Sequence, residues 1–182
     1  SAAISGKLTH AQNLLNFAKK NKFSVPFSEY KLLKVLAVSQ KNSLRALRRL
    51  RLIRRALNSE QKSFGSMVVG SALLGITHPS AFSLVKKGID SVQQQPVYIL
   101  EASARVALRY GDWDLLKTVI ESLPLKMQKL PKWKYWEAQR LLIEGEKTKS
   151  SRLLDSIKPP WSFYGMLSGE ELARIYNPKK HI

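Results

Sequence analysis

The sequence contains no cysteine and few acidic residues. Without cysteine the chain cannot form a disulfide, a thiolate metal site or a cysteine nucleophile. Its three histidines do not stand at a metal-binding spacing, so no metal site is expected. Acidic residues number 13 against 31 lysines and arginines, which gives a formal net charge of +18. A charge of this size favours association with polyanions: nucleic acid, anionic lipid or a carboxylate-bearing polymer.

Long apolar runs and phosphate-binding loops are also lacking. The most apolar stretch, residues 64–76, is interrupted by glycines and serines and is shorter than the roughly 20 residues that a membrane span requires. It therefore predicts a buried helix. The sequence has no glycine-rich phosphate loop, so we expect neither nucleotide-dependent catalysis nor a cofactor. The first residues, SAAISGKLTH, do not show the basic region and apolar run of a secretory signal.

Helical periodicity dominates the chain, and no stretch alternates as a strand. The pattern predicts helices at residues 9–21, 28–38, 44–57, 59–75, 79–93, 97–110, 114–122, 132–144, 147–157 and 163–176. Helices of this length joined by short turns predict an all-α fold, namely an α-superhelix or αα-hairpin solenoid of about ten helices. Gly111 and Gly145, which are expected to end helices, lie one helical-pair repeat apart.

Cap residues and apolar stripes refine this pattern. Asn58 and Gln61 have the spacing of a capping box, and Asp112 is expected to cap the helix that follows it. The stripes predict which side chains of the second and third helices turn inward. These are Tyr30, Leu33, Leu36 or Ala37, and Leu47, Leu50, Ile53 and Leu57.

The strongest charge signal is the run SLRALRRLRLIRRAL at residues 43–57. It holds six arginines and no acidic residue, although like charges on one helix repel. Two interpretations remain open: a solvated basic face, or an anion-binding face whose guanidinium groups grip carboxylates or phosphates in bidentate fashion. The candidate anion-binding residues are Arg45, Arg48, Arg49, Arg51, Arg55, Lys132 and Lys134, which Lys19, Lys20, Lys22 and Lys129 could extend.

A second signal is a group of aromatic residues near the end of the chain, comprising Trp133, Tyr135, Trp136, Trp161, Phe163 and Tyr164. Trp133 and Trp136 stand three apart and hence share a helical face, which favours packing between helices over stacking on sugars. Tyr135 lies off that face and is the better candidate for exposure.

Three blocks in the same region form a recognisable pattern. They read ALRYGDWDLLKTVIESLP from residue 107, PKWKYWEAQRLLIEGEKTKSSRLLDSI from residue 131 and SFYGMLSGEEL from residue 162. Their order and spacing resemble the end of the superhelical domain of the soluble lytic murein transglycosylase family. In that family an ALR-x-x-DW helix pair is followed by W-x-YW-x-AR, G-x-x-x-x-A and FYG-x-L-A. The matching residues are Ala107, Leu108, Arg109, Asp112, Trp113, Trp133, Tyr135, Trp136, Ala138, Gly145, Phe163, Tyr164, Gly165 and Leu167.

The chain departs from the family pattern at three positions. Gln139 stands where the family usually has arginine, and Arg140 follows one place later. Ser150 and Ser168 replace small alanines and nearly conserve their volume. The resemblance implies structural roles for Trp113, Trp133, Tyr135, Trp136, Gly145, Phe163, Tyr164 and Gly165.

The resemblance also implies a function. It predicts one α-helical superhelical domain over residues 1–182, with the match strongest at residues 107–172, and without the lysozyme-like catalytic domain that follows FYG in the family. Such a segment would be a non-catalytic periplasmic scaffold that positions the catalytic domain and peptidoglycan strands. Glu121-Ser122 imitates the family's catalytic Glu-Ser pair, but the supporting Gly-Leu-Met-Gln segment is missing. We therefore expect Glu121 to be a solvated helix residue, and we expect no catalytic residue.

Two other functions are compatible with the charge. A basic helical-repeat module could bind nucleic acid, although the basic run and the aromatic blocks lie about 80 residues apart, whereas single-strand binders interleave them. A helical-repeat groove could instead take an acidic segment of a partner protein. The resemblance implies peptidoglycan as the partner, with a catalytic domain or partner protein beside it, and makes nucleic acid a weaker expectation.

Overall fold

A computed structural model describes residues 13, 16, 20, 26–89 and 95–177. Within these residues the chain is all-α, as predicted, and contains ten α-helices and no strand. The helices are α1 Phe27–Ser39, α2 Ser43–Ile53, α3 Ser59–Leu74, α4 Ser80–Ile89, α5 Val97–Tyr110, α6 Trp113–Glu121, α7 Leu125–Gln128, α8 Pro131–Ile143, α9 Lys147–Asp155 and α10 Phe163–Tyr176. A 3-10 turn, Arg54–Ala56, continues α2.

Most predicted helix boundaries fall within two residues of the observed ones. The helix predicted at 9–21 lies outside the described residues except for three positions, and the one predicted at 79–93 is described as far as Ile89. The one-turn helix α7 was not predicted. It begins after Pro124, whose carbonyl oxygen accepts a hydrogen bond of 2.7 Å from the Met127 amide.

The described residues form two compact units, Ser1–Ser122 and Leu123–Ile182. In the first unit, helices adjacent in sequence pack as three pairs: α1 with α2, α3 with α4, and α5 with α6. Helix α3 also contacts α1, α2 and α5. In the second unit α9 packs against both α8 and α10. The paired arrangement is that of helical hairpins, whereas a single domain over residues 1–182 stays a prediction.

Helix α3 includes residues 64–74 of the apolar stretch and is largely buried there, as predicted, whereas Ile76 follows the helix and is 50% exposed. Small residues allow α4 to approach α3 closely, because a Cβ added at Gly88 would meet the Ser63 carbonyl oxygen at 2.9 Å. Asn58 and Gln61 form the predicted capping box at its start. No helix in the described ranges is long and apolar enough to cross a membrane.

The inward face of α1 differs from the prediction by about one residue. Its buried side chains are Leu32, Val35, Leu36 and Ser39, whereas Tyr30, Leu33 and Ala37 are half-buried at the edge. The reason is that α1 packs against both α2 and α3, so the buried stripe is set by two neighbours rather than by the apolar pattern alone.

The inward face of α2 is largely as predicted. Leu47, Leu50 and Leu57 are buried, whereas Ile53 is half-buried. Ala46, which the apolar stripe did not include, is fully buried because it lies on the same face of the helix.

The second unit has its own core, in which Ala138, Leu154 and Ile157 are buried. The partly buried side chains packed against them are Tyr135, Leu153, Tyr164, Leu172 and Ile175. Both glycines expected to end helices adopt the left-handed conformation, with φ of 65° at Gly111 and 83° at Gly145. The prediction that Gly111 and Gly145 end helices is therefore confirmed.

Candidate anion-binding site on a basic helix

Helix α2 presents its arginines to solvent. We call Arg45, Arg48, Arg49, Arg51, Arg54 and Arg55 the arginine face. The Asn42 side chain caps the helix by accepting a hydrogen bond of 2.8 Å from the Arg45 amide. The opposite side of α2 is buried through Ala46 and Leu50, so the helix cannot turn its guanidinium groups inward. Five of the six arginines are exposed, and Arg49 is half-buried.

The arginine face has no acidic partner among the residues that the structure describes. Helix α2 contains no acidic residue, and within the described part of the chain no carboxylate lies at ion-pair distance from any of these arginines. Arg140 shows the contrast, because Glu137 and Glu144 both bind its guanidinium. Unneutralised guanidinium groups on one helix keep their capacity for bidentate bonds to an external anion.

One edge of the arginine face borders a groove between α1 and α2, which we call the α1–α2 groove. It has a volume of about 370 Å³ and is open to solvent. Its lining residues are Phe27, Tyr30, Lys31, Lys34, Val35, Arg49, Leu52 and Ile53. Three of these are cationic and none is acidic, so the groove combines positive charge with an apolar lining.

Sequence analysis missed the contribution of α1 to this groove. Lys31 follows Phe27 by four residues and Lys34 follows Tyr30 by four, so each ammonium reaches the ring of the preceding turn. The distances from Nζ to the ring centroids are 3.8 and 4.3 Å. These two aromatic-to-lysine spacings were the available signal, but their significance depends on α1 packing beside α2.

The predicted lysines of the second unit have local contacts. The Lys132 ammonium lies 4.9 Å from the centroid of the Trp133 ring. Lys134 donates hydrogen bonds to the carbonyl oxygen and the Oγ of Ser156, at 3.3 and 3.0 Å, where α9 ends. Lys20 and Lys129 are exposed, and Lys19 and Lys22 lie outside the described residues. The structure therefore gathers the arginines on one helix, while Lys132 and Lys134 belong to the other unit.

The aromatic residues near the end of the chain mostly pack. Trp133 is only 4% exposed, and the Tyr135 ring lies 5.3 Å from Trp136 and 5.7 Å from Tyr164, centroid to centroid. Tyr135 is half-buried and hence more exposed than Trp133, although its ring packs against the core of the second unit. Burial, together with Glu171, raises the pKa of the Tyr135 hydroxyl. The exposed members are instead Trp161 and Phe163.

Gly165 holds the third family block in place. A Cβ at this position would overlap the Pro159 carbonyl oxygen and would lie 2.7 Å from that of Pro160. Only glycine leaves room for the chain segment that precedes α10. The Ser162 hydroxyl accepts a hydrogen bond of 3.1 Å from the Gly165 amide and so caps the same helix.

Asp112 joins the first family block to α4. Its carboxylate accepts hydrogen bonds from the Leu115 amide at 2.7 Å and from the Lys86 ammonium at 2.8 Å. Burial acts to raise the pKa of Asp112, but these hydrogen bonds and the charge of Lys86 outweigh it and leave the pKa below its usual range. Trp113 opens α6 beside it and is half-buried.

The residues that depart from the family pattern, or stand beside such a position, form hydrogen bonds in the structure. Ser150 is fully buried and donates a hydrogen bond of 2.9 Å to the Ala138 carbonyl oxygen. Ser168 is buried and donates one of 2.6 Å to the Tyr164 carbonyl oxygen within its own helix. Arg140 is buried, and the hydrogen bonds that it donates to Glu137 and Glu144 raise the pKa of the guanidinium further, despite burial. It therefore stays charged.

Three acidic residues in the second half of the chain, namely Glu121 on α6 and Glu170 and Glu171 on α10, lie on helices. Glu121 is exposed at the last residue of α6, and Glu170 is exposed on α10. Glu171 accepts a hydrogen bond of 3.4 Å from Arg174 one turn later. In the parts of the chain that the structure describes, no three histidine, aspartate or glutamate side chains are placed to hold a metal ion.

Comparison with known proteins gives relatives of one kind, although no family model matches the chain. The soluble lytic murein transglycosylase of Salmonella typhimurium is 29% identical over 126 residues, which is 68% of this chain and 19% of that protein. The enzyme of the same name from Escherichia coli K12 is 27% identical over 88 residues, or 48% of this chain and 14% of that protein.

This chain is homologous to part of the soluble lytic murein transglycosylases. The predicted resemblance is thereby confirmed. A match over 126 residues is longer than the 107–172 segment, so the similarity extends beyond the three blocks that indicated it. The chain spans about a fifth or less of the length of these relatives.

Proposed function

We propose that this chain is a non-catalytic superhelical segment of a lytic murein transglycosylase. It acts as a scaffold that positions peptidoglycan strands and the catalytic domain. The observation that carries the proposal is the arginine face of α2, exposed and without an acidic partner among the described residues, on a chain homologous to these enzymes.

The physical basis is the chemistry of the polymer. Peptidoglycan strands carry stem peptides whose carboxylates recur along the glycan, and a guanidinium binds a carboxylate through two parallel hydrogen bonds. A single exposed pair contributes little, about 0–1 kcal/mol. Several arginines on one helix bind a repeating polyanion together, because each contact raises the effective concentration of the next.

The absence of catalysis is part of the same proposal. A general acid for glycosidic cleavage needs a raised pKa and a cleft that holds the sugar. Glu121 is instead exposed to solvent at the last residue of α6. We propose that cleavage belongs to a separate lysozyme-like catalytic domain, and that the protein works in the periplasm.

The second candidate function is binding of nucleic acid or of an acidic protein partner, and the same arginines favour it. Guanidinium groups bind phosphates as well as carboxylates, and neutralising several phosphates makes affinity fall steeply with salt. Most of the described aromatics near the end of the chain pack within the second unit, which leaves few of them to stack on bases.

The test is co-sedimentation of the purified 182-residue chain with insoluble peptidoglycan sacculi across a salt series, with duplex DNA measured in parallel. We expect retention on sacculi, weaker binding to DNA, and no release of soluble sugar fragments. The matched variants are the double substitution Arg45→Gln with Arg48→Gln, which should lose retention, and Lys117→Gln with Lys126→Gln at two other exposed positions, which should keep it.

Two results would overturn the proposal. Release of soluble fragments by the purified chain would show that it is catalytic. Strong, steeply salt-dependent DNA binding without retention on sacculi would show that the arginine face binds nucleic acid rather than peptidoglycan.

A further inference from the structure

The α1–α2 groove differs from the rest of the arginine face in being partly apolar. Phe27 and Leu52 at its rim are 67% and 83% exposed and lie beside three cations. Val35 and the half-buried Ile53 supply further apolar lining. The groove therefore presents a contiguous apolar patch within a basic surface.

The cations of the groove are also partly held in position. Lys31 and Lys34 lie over the Phe27 and Tyr30 rings, which restricts where their ammonium groups can go. Arg49 enters from α2 and is the one half-buried member of the arginine face. A ligand with carboxylates would therefore meet positive charge contributed by two helices.

The groove indicates the class of its ligand. Its volume of about 370 Å³ lies at the small end of the range for small-molecule sites, which suits a few amino-acid residues. A bound amphipathic helix would have a diameter of about 10 Å and would need a longer row of apolar anchors. A duplex backbone offers phosphates but nothing to cover Leu52 and Phe27.

We propose that the α1–α2 groove binds the peptide stem of a peptidoglycan strand, a short peptide that carries both carboxylates and small apolar side chains. The inference rests on the proposed function and sharpens it. Lys31, Lys34 and Arg49 take the carboxylates, while Phe27 and Leu52 cover the apolar side chains. The remaining exposed arginines of α2 bind carboxylates of neighbouring stems less selectively.

The experiment titrates the full chain with the free stem tetrapeptide, released from its glycan, and follows binding by calorimetry. Three comparison ligands separate the contributions: the same tetrapeptide with its carboxylates amidated, a short oligoglutamate, and an oligomer of N-acetylglucosamine. We expect the tetrapeptide to bind, the amidated peptide and the sugar oligomer to show no binding, and oligoglutamate to bind at least ten-fold more weakly.

Variants assign the site. Arg49→Gln should weaken tetrapeptide binding roughly ten-fold, because it removes a charge-assisted bidentate contact. Leu52→Ser should weaken it about three- to ten-fold and, since Leu52 is exposed, should leave the fold intact. The matched control is Arg105→Gln, which removes the same charge from an exposed position on α5 and should leave the affinity unchanged.

The outcomes separate this inference from the proposed function. If the chain is retained on sacculi but does not bind the tetrapeptide, or binds oligoglutamate equally well, the groove inference is wrong and the scaffold proposal stands. Equal losses from Arg49→Gln and Arg105→Gln would also overturn it, as would tighter binding of oligoglutamate than of the tetrapeptide. If neither sacculi nor tetrapeptide is bound, both proposals fail.

Discussion

The Ser150 hydroxyl donates a hydrogen bond of 2.9 Å to the Ala138 carbonyl oxygen and thereby ties α9 to α8 inside the second unit. Both residues are fully buried, and Ala138 belongs to the core there. Ser103 on α5 is equally buried, yet its Oγ has no hydrogen-bond partner among the described residues. The two serines have the same exposure but opposite hydrogen-bonding states.

Substituting each serine by alanine should therefore change stability in opposite directions. Ser150→Ala should lower the free energy of unfolding by about 1 kcal/mol, because a buried hydrogen bond is lost. Ser103→Ala should raise it by up to about 1 kcal/mol, because an unsatisfied buried hydroxyl is removed. Urea unfolding of both variants measures the difference. A Ser150→Ala variant as stable as the parent would refute the bond's role.

Two glycines of α10 provide a second matched pair. Gly165→Ala should lower the free energy of unfolding by about 2 kcal/mol or more, because the added methyl collides with the Pro159 and Pro160 carbonyl oxygens. Gly169 is exposed and has no neighbouring atom within 4 Å, so Gly169→Ala should raise it by about 0.5–1 kcal/mol. Thermal and urea unfolding measure both. Equal effects would contradict the packing described for Gly165.

Asp112 should make stability depend on pH at the acidic end. Its pKa is lowered on folding, so the unfolded chain binds the proton more readily and the stabilisation is fully present above the unfolded value, about 3.9. It is lost as pH falls through the lower, folded value. Asp112→Asn keeps the helix cap but cannot ionise.

The measurement is the difference in free energy of unfolding between the parent and Asp112→Asn. We expect the parent to be more stable than Asp112→Asn by less than about 1 kcal/mol at neutral pH, because Lys86 is half exposed. In strong acid the two proteins should be equally stable. Lys86→Gln should reduce the same difference. A difference that does not change between neutral pH and strong acid would show that the carboxylate charge is not involved.

The helices could be predicted because their limits depend on neighbouring residues. Asp112 caps the helix it was expected to cap, and Gly111 adopts the left-handed conformation that ends α5, since both effects act within one turn. The contact of the Tyr135 ring with the core of the second unit was not predicted. Its environment depends on Tyr164, 29 positions away, and periodicity within α8 contains no information about that contact.

The candidate site was predicted only in part, for the same reason. The arginine run is visible in the sequence, and its exposure follows from the apolar stripe on the other side of α2. The groove needs α1 beside α2, and the inward face of α1 was misplaced by about one residue because α3 also packs against it. Lys31 and Lys34 therefore went unrecognised as members of the site.

The arginine face should cost stability if it is retained for binding. Arg45 lies in the first turn of α2, where the helix dipole favours acidic residues and where other arginines repel it. Arg45→Glu should therefore raise the free energy of unfolding by about 0.5–1 kcal/mol while weakening retention on sacculi. Urea unfolding and co-sedimentation measure the two effects.

The control for this substitution is Arg152→Glu, which makes the same charge change in the last turn of α9. It should lower stability slightly, because the dipole favours a basic residue there, and should leave retention unchanged. If both variants lost retention equally, net charge rather than the arginine face would be responsible.

The central claim is that the arginine face binds peptidoglycan through its carboxylates. The most direct test compares retention of the chain on untreated sacculi with retention on sacculi whose carboxylates have been amidated, at one moderate salt concentration. Strong retention on untreated sacculi and its loss after amidation is the result we predict. Equal retention on both would contradict the account, because the chain would then bind the wall without using the charge that its basic helix presents.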